Sequence, residues 1–205
     1  MTYTLHGWSF SKEVWKNTPF ESAVHLELPG HGESPFTSTD LLELSKEVAS
    51  CLPESSTLVG WSLGATVALL VGALYPEKVK ELILYAPTSL FSGLSQPEAV
   101  VKRFLKRLRR DFFDGVRFFR ALCSRKELPL PKIEPEVAAE LLENFCHFDA
   151  RDYFKRLTQP VKIAVGEEDE ITRVAGALSA FSLAPKATLT VFPKENHLTV
   201  LQYAI

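Results

Sequence analysis

The stretch "LVGWSLGATVALLVG", Leu58–Gly72, sets Ser62 between Gly60 and Gly64 where a short apolar run meets a longer one. A G-x-S-x-G pattern arises by chance about once in fifteen chains of this length, so the surroundings decide its meaning. "STLV" before it reads as a buried strand and "ATVALLVGAL" after it as a largely apolar helix closed by Pro76. A serine on a sharp strand-to-helix turn, with glycines where side chains would collide, presents its hydroxyl above a sheet at a helix N-terminus. There the free N–H groups favour a developing anion.

Outward from that turn the chain alternates. "YTLHG" and "AVHLELPGHG" are short strands ending in glycine loops, and "STDLLELSKEVASCL" opens on Asp40 and places Leu41, Leu44, Val48 and Leu52 at helical spacing. "VKELILYAP" is a further strand, followed from about residue 89 to 149 by a helical segment rich in Phe, Arg and Lys. Alternation resumes with "PVKIAVGEED", a helix over about 172–183 and "ATLTVFPKENH". This order predicts an α/β fold: a mostly parallel sheet of about six strands, with a helical cap inserted after the strand ending near Ala86. At 205 residues, 46% of them hydrophobic, residues 1–205 are expected to form one domain.

A serine hydroxyl needs a base, and the base needs a carboxylate to hold it. Downstream of Ser62 stand only His147, inside the helical segment, and His197, in the loop after the final strand, which is where a base belongs. The loop "GEEDEI" offers Glu167, Glu168, Asp169 and Glu170; Asp169, three residues past Gly166, is the preferred acid. An oxyanion needs two backbone N–H donors: Leu63 follows the nucleophile, and in "LHGW" Gly7 turns the chain so that Trp8 supplies the second. His6 is read as fixing that turn rather than as a base.

Taken together, "LHGW", "ELPGHGES", "GWSLG", "GEEDEI" and "ENH" resemble the α/β-hydrolases over essentially the whole chain. Within them, "LHGWSFSKEVW", "LPGHGES" and "GWSLGATVA" with a short cap most resemble the pimeloyl-[acyl-carrier protein] methyl ester esterases of biotin synthesis. The resemblance implies a serine carboxylesterase with Ser62 as nucleophile, Asp169 as acid and His197 as base, releasing methanol from an acyl chain still on its carrier. It also implies Trp8 and Leu63 as oxyanion donors, and Trp8 and Trp61 beside the ester. The other readings are a general short-chain carboxylesterase, a menaquinone-pathway lyase-like enzyme and a non-catalytic binding module. Against relatives, the chain begins at what would be the third strand and ends eight residues after His197. The sheet edge is therefore expected to need cover, dimerisation being one route.

Charge is uneven. Val101–Lys126 holds ten Lys or Arg against Asp111 and Asp114, in a chain of net charge −2. Helical spacing separates an apolar set, Phe104, Leu105, Leu108, Phe112, Phe113, Phe118 and Phe119, from Arg103, Lys106, Arg107, Arg110 and Arg117. Phe104 and Phe112 are expected to line the substrate channel, and the cations to dock an acidic acyl carrier protein. No nucleic-acid motif accompanies the charge. Cys51, Cys123 and Cys146 form no C-x-x-C or His/Cys metal pattern, and the serine mechanism needs no metal or organic cofactor, so none is expected. No run of 18 uncharged apolar residues and no signal-peptide pattern occurs, so a cytoplasmic protein, monomer or dimer, without membrane binding is expected.

Overall fold

The computed structural model describes residues 1–125 and 128–205; Lys126, the last cation of the basic segment, and Glu127 lie outside the described residues. Six strands form one parallel sheet: β1 (Thr2–Leu5), β2 (Val24–Leu26), β3 (Ser56–Trp61), β4 (Val79–Tyr85), β5 (Val161–Gly166) and β6 (Ala187–Phe192), in the order β2-β1-β3-β4-β5-β6. The chain runs outward from β1 to β2, then crosses to β3 on the other side of β1. The order therefore reverses between β1 and β3, whose carboxyl ends flank the crevice where open parallel sheets place ligands. Those ends carry "HGW" and Ser62.

Helix α1 (Leu41–Cys51) starts where the Asp40 carboxylate accepts the N–H groups of Leu42 and Glu43 at 3.0 and 2.9 Å. Its stripe, Leu41, Leu44 and Val48, is buried together with Leu52. Helix α2 (Leu63–Leu74) is buried without interruption from Leu63 to Gly72, as its all-round apolar sequence requires. Between β4 and β5 lie α3 (Glu98–Arg110), α4 (Phe112–Cys123), α5 (Pro135–His147) and the short α6 (Arg151–Lys155); α7 (Arg173–Leu183) joins β5 to β6.

Asp111 ends α3 and caps α4, its carboxylate accepting the Asp114 N–H at 3.0 Å. This break resets the helical phase, and the Phe set divides accordingly. Leu105, Leu108 and Phe119 are buried, Phe104 and Phe112 half-buried, whereas Phe113 and Phe118 are exposed. The last residues of the chain meet the end of edge strand β6 and the end of β4. Tyr203 stacks on Phe192 at 4.5 Å, and its carbonyl accepts the Tyr85 hydroxyl at 2.6 Å. Among the described residues no helix is long and apolar enough to cross a membrane.

Candidate active site

Ser62 stands between β3 and α2 with φ 57° and ψ −120°, a conformation that costs a residue with a side chain on the order of 1–3 kcal/mol. The flanking glycines make the turn possible. A Cβ on Gly60 would lie 2.5 Å from the Gly64 carbonyl oxygen, and one on Gly64 would lie 2.5 Å from the Leu5 carbonyl oxygen. The turn is anchored by the Ser62 N–H, which donates to Tyr85 O at 2.9 Å. Ser62 is 5% exposed.

Asp169 and His197 meet, His197 Nδ1 lying 2.7 Å from Asp169 Oδ2, with both side chains buried. The carboxylate sits just before α7. Its Oδ1 accepts the N–H groups of Ile171 and Thr172 at 2.8 and 3.0 Å, and Oδ2 accepts the Thr172 hydroxyl at 3.1 Å. Burial alone would raise its pKa, but the His197 ring and these donors outweigh it and hold the carboxyl below its ordinary range. A carboxylate so placed fixes the proton on Nδ1. Nε2, buried and without a hydrogen-bond partner among the described residues, keeps a lone pair for proton transfer. Glu167, Glu168 and Glu170 are exposed, as is His147 at the end of α5.

Trp8 and Trp61 are buried, with side chains engaged in the scaffold. Trp61 Nε1 donates to His197 O at 2.8 Å, and its ring lies 5.2 Å from the imidazole. The residue next to Ser62 thus carries the loop that bears His197. Trp8 Nε1 donates to Ala138 O at 2.7 Å, and its ring meets Phe104, Phe112 and Phe119 edge-on at 6.2, 6.1 and 5.1 Å, tying the helical layer to the loop after β1. The main-chain N–H groups of Trp8 and Leu63 make no hydrogen bond among the described residues.

Phe104 also lines a small apolar cavity of about 90 Å³ that reaches Glu170 and Ile171, beside Asp169. The cavity shares Val100, Phe104 and Phe118 with a surface groove of about 480 Å³ that Arg103, Lys106, Arg107 and Arg110 line. Arg103, Lys106, Arg110 and Arg117 are exposed, but Arg107 is tied to Asp114 at 2.6 Å and lies 4.3 Å over Phe118. Arg117 is not among the groove's lining residues, and Phe112 lines neither space.

Three supports were not read from the sequence. Gln96 Nε2 donates to the carbonyls of Glu170 and Ile171 at 2.6 and 2.7 Å, holding the loop of Asp169. His31 and Arg120 hold the loop of Trp8. Only the histidine between glycines in "PGHG" offered a signal.

Comparison with known proteins follows the same lines. The model of the alpha/beta hydrolase family matches residues 4–204. A pimeloyl-[acyl-carrier protein] methyl ester esterase of Citrobacter koseri is 30% identical, aligned over 97% of this chain and 87% of its own. One from Pseudoalteromonas atlantica is 28% identical over 97% and 88%. Among solved structures, a hydrolase from Oleispira antarctica superposes with a TM-score of 0.85 at 13% identity, covering 98% of this chain and 85% of its own. An esterase from Exiguobacterium antarcticum does so with 0.80 at 19%, covering 96% and 84%.

Proposed function

Because the chain belongs to the alpha/beta hydrolase family, we propose that it is a serine carboxylesterase that hydrolyses the methyl ester of a pimeloyl chain borne on an acyl carrier protein. The observation that carries this reading is the buried Asp169–His197 pair, whose open Nε2 belongs to a loop held by the neighbour of Ser62. His197 Nε2 takes the Ser62 proton as Oγ attacks the ester carbon, forming the C–O bond and leaving charge on the carbonyl oxygen. The N–H groups of Trp8 and Leu63 receive that oxyanion. Collapse breaks the bond to the methoxy oxygen, which departs as methanol with the proton from His197. Water, deprotonated by the same nitrogen, then attacks the acyl-Ser62 carbon, and Oγ leaves with the proton returned.

The carrier fits the helical layer. A cationic groove that shares Val100, Phe104 and Phe118 with a small apolar cavity suits an acidic protein that presents a greasy chain on a flexible arm. The names of the relatives support that substrate.

The test is Ser62→Ala. Hydrolysis of a small methyl or p-nitrophenyl ester is expected to fall at least about a thousandfold, and covalent labelling by a fluorophosphonate to vanish. Activity surviving the change would remove Ser62 from the mechanism, and with it this reading.

A further inference from the structure

Ser9 directly follows Trp8, whose N–H the proposed reaction uses, and its backbone stands at φ 65°. An L-residue there costs on the order of 1 kcal/mol and persists only where its surroundings hold it. Both peptide groups of Ser9 are held. The N–H donates to His31 Nε2 at 3.0 Å, and the C=O accepts from Arg120 Nη1 at 2.5 Å. His31 comes from the loop after β2 and Arg120 from α4, so the residue is gripped from the sheet side and from the helical layer.

Each grip is fixed in turn. His31 Nδ1 lies 2.8 Å from Pro29 O, which places the ring proton on Nδ1 and leaves Nε2 an acceptor. Behind it His6 repeats the arrangement, Nδ1 on Gly7 O at 2.8 Å and Nε2 accepting the Leu28 N–H at 3.1 Å, the two rings 5.5 Å apart. Arg120 Nη2 donates to Leu128 O at 2.7 Å and Pro129 O at 3.2 Å. Its guanidinium lies 4.2 Å over Phe10, whose ring meets Trp61 at 4.9 Å. From the same turn of α4, Cys123 O accepts the Leu198 N–H at 3.3 Å, beside His197.

We propose that Arg120 and His31 are positioning residues of the oxyanion site: they clamp the Ser9 peptide from two sides and thereby aim the Trp8 N–H at the oxygen that gains charge. The proposal rests on the esterase reading above. An oxyanion donor works only if it is already aimed, and losing one costs a hundred- to a thousandfold in kcat. A clamp that fails lets Ser9 relax, so the donor is misaimed rather than lost.

The experiment measures kcat and KM on p-nitrophenyl butyrate for Arg120→Met, Arg120→Lys, His31→Leu and His31→Gln, with fluorophosphonate titration of Ser62 in each. Arg120→Met is expected to lower kcat about thirtyfold with KM within about twofold. Affinity for a trifluoromethyl ketone, which forms the oxyanion adduct, should fall in step with kcat/KM. Arg120→Lys and His31→Gln, which keep a donor and an acceptor, should retain more kcat than Arg120→Met and His31→Leu. A folded Arg120→Met enzyme with wild-type kcat, or with its loss confined to KM, would overturn the proposal. If Arg120→Met or His31→Leu does not fold, Arg120→Gln, too short to bridge Ser9 O and Leu128 O, and His31→Phe, a ring without an acceptor, decide: a kcat loss with unchanged KM supports the clamp, and wild-type kcat in both refutes it. A wild-type protein that neither hydrolyses the ester nor takes the label would instead overturn the enzyme reading, and this one with it.

Discussion

His6 and His31 are fully buried, and what their ring nitrogens meet holds each neutral. A backbone N–H points at Nε2 of both rings, so adding a proton there replaces a hydrogen bond with a clash of donors. Burial lowers the pKa of His6 to about 4 and that of His31 to about 3, the neighbouring ring adding to the effect at His31. Unfolded, both return to the ordinary value near 6.5. Between those limits the unfolded chain binds more protons than the native one, so stability rises with pH, is complete above about 6.5 and is lost on acidification. Each histidine contributes a slope of up to about 1.4 kcal/mol per pH unit. Urea unfolding between pH 5 and 6.5, above the carboxylate range, should show that slope in the wild type and a shallower one in His31→Gln. Equal slopes would mean that His31 is not held neutral by the fold. At this scale the sharp turn at Ser62 and the meeting of Asp169 with His197 were legible, because each residue stands in the loop or turn that follows a strand; their catalytic roles belong to the proposed function. His31 and Arg120 were not, since each works through one backbone group of Ser9, 22 and 111 residues away in the chain, and no periodicity marks such a contact.

Elements follow the alternation of the sequence, because buried strands and an all-apolar helix leave little freedom in how they pack. The helical segment was harder to read. One Asp at position 111 ends α3 and caps α4, so residues that share a stripe on paper fall on different faces, with Phe113 and Phe118 outside and Phe119 within. β1 meets α2 closely at Gly64, whose Cβ position crowds the carbonyl oxygens of Leu5 and His6. Gly64→Ala must move backbone, not the end of a flexible side chain. It is expected to destabilise by about 3 kcal/mol, the upper end for overpacking, as read from the urea midpoint. The displaced end of β1 also leads into His6, Gly7 and Trp8, so kcat should fall in the protein that remains folded. A variant of wild-type stability and rate would show that the close approach has no functional weight.

For the whole molecule the governing fact is charge separation: ten cations between Val101 and Lys126, and 13 basic against 23 acidic residues elsewhere. An acidic body repels an acidic partner except where the helical layer faces it. Under the proposed function, association with an acidic carrier is expected to be steered to the groove of Arg103, Lys106 and Arg110. Because the Debye length falls from about 10 Å at 0.1 M to about 3 Å at 1 M salt, kcat/KM on a carrier-borne methyl ester should drop about tenfold or more over that range. The same ester freed of its carrier should change little. Arg103→Glu with Arg110→Glu should reproduce the loss at low salt and flatten the salt dependence, while leaving the free ester untouched, since neither side chain approaches Ser62 through any contact described above. Arg107 is the wrong residue for this test. Its guanidinium holds Asp114 and covers Phe118, so reversing it would leave two acidic groups facing each other across the α3–α4 junction and confound docking with packing. Equal salt response of the two substrates would place carrier recognition off this groove and leave the cations as a solvated helical face.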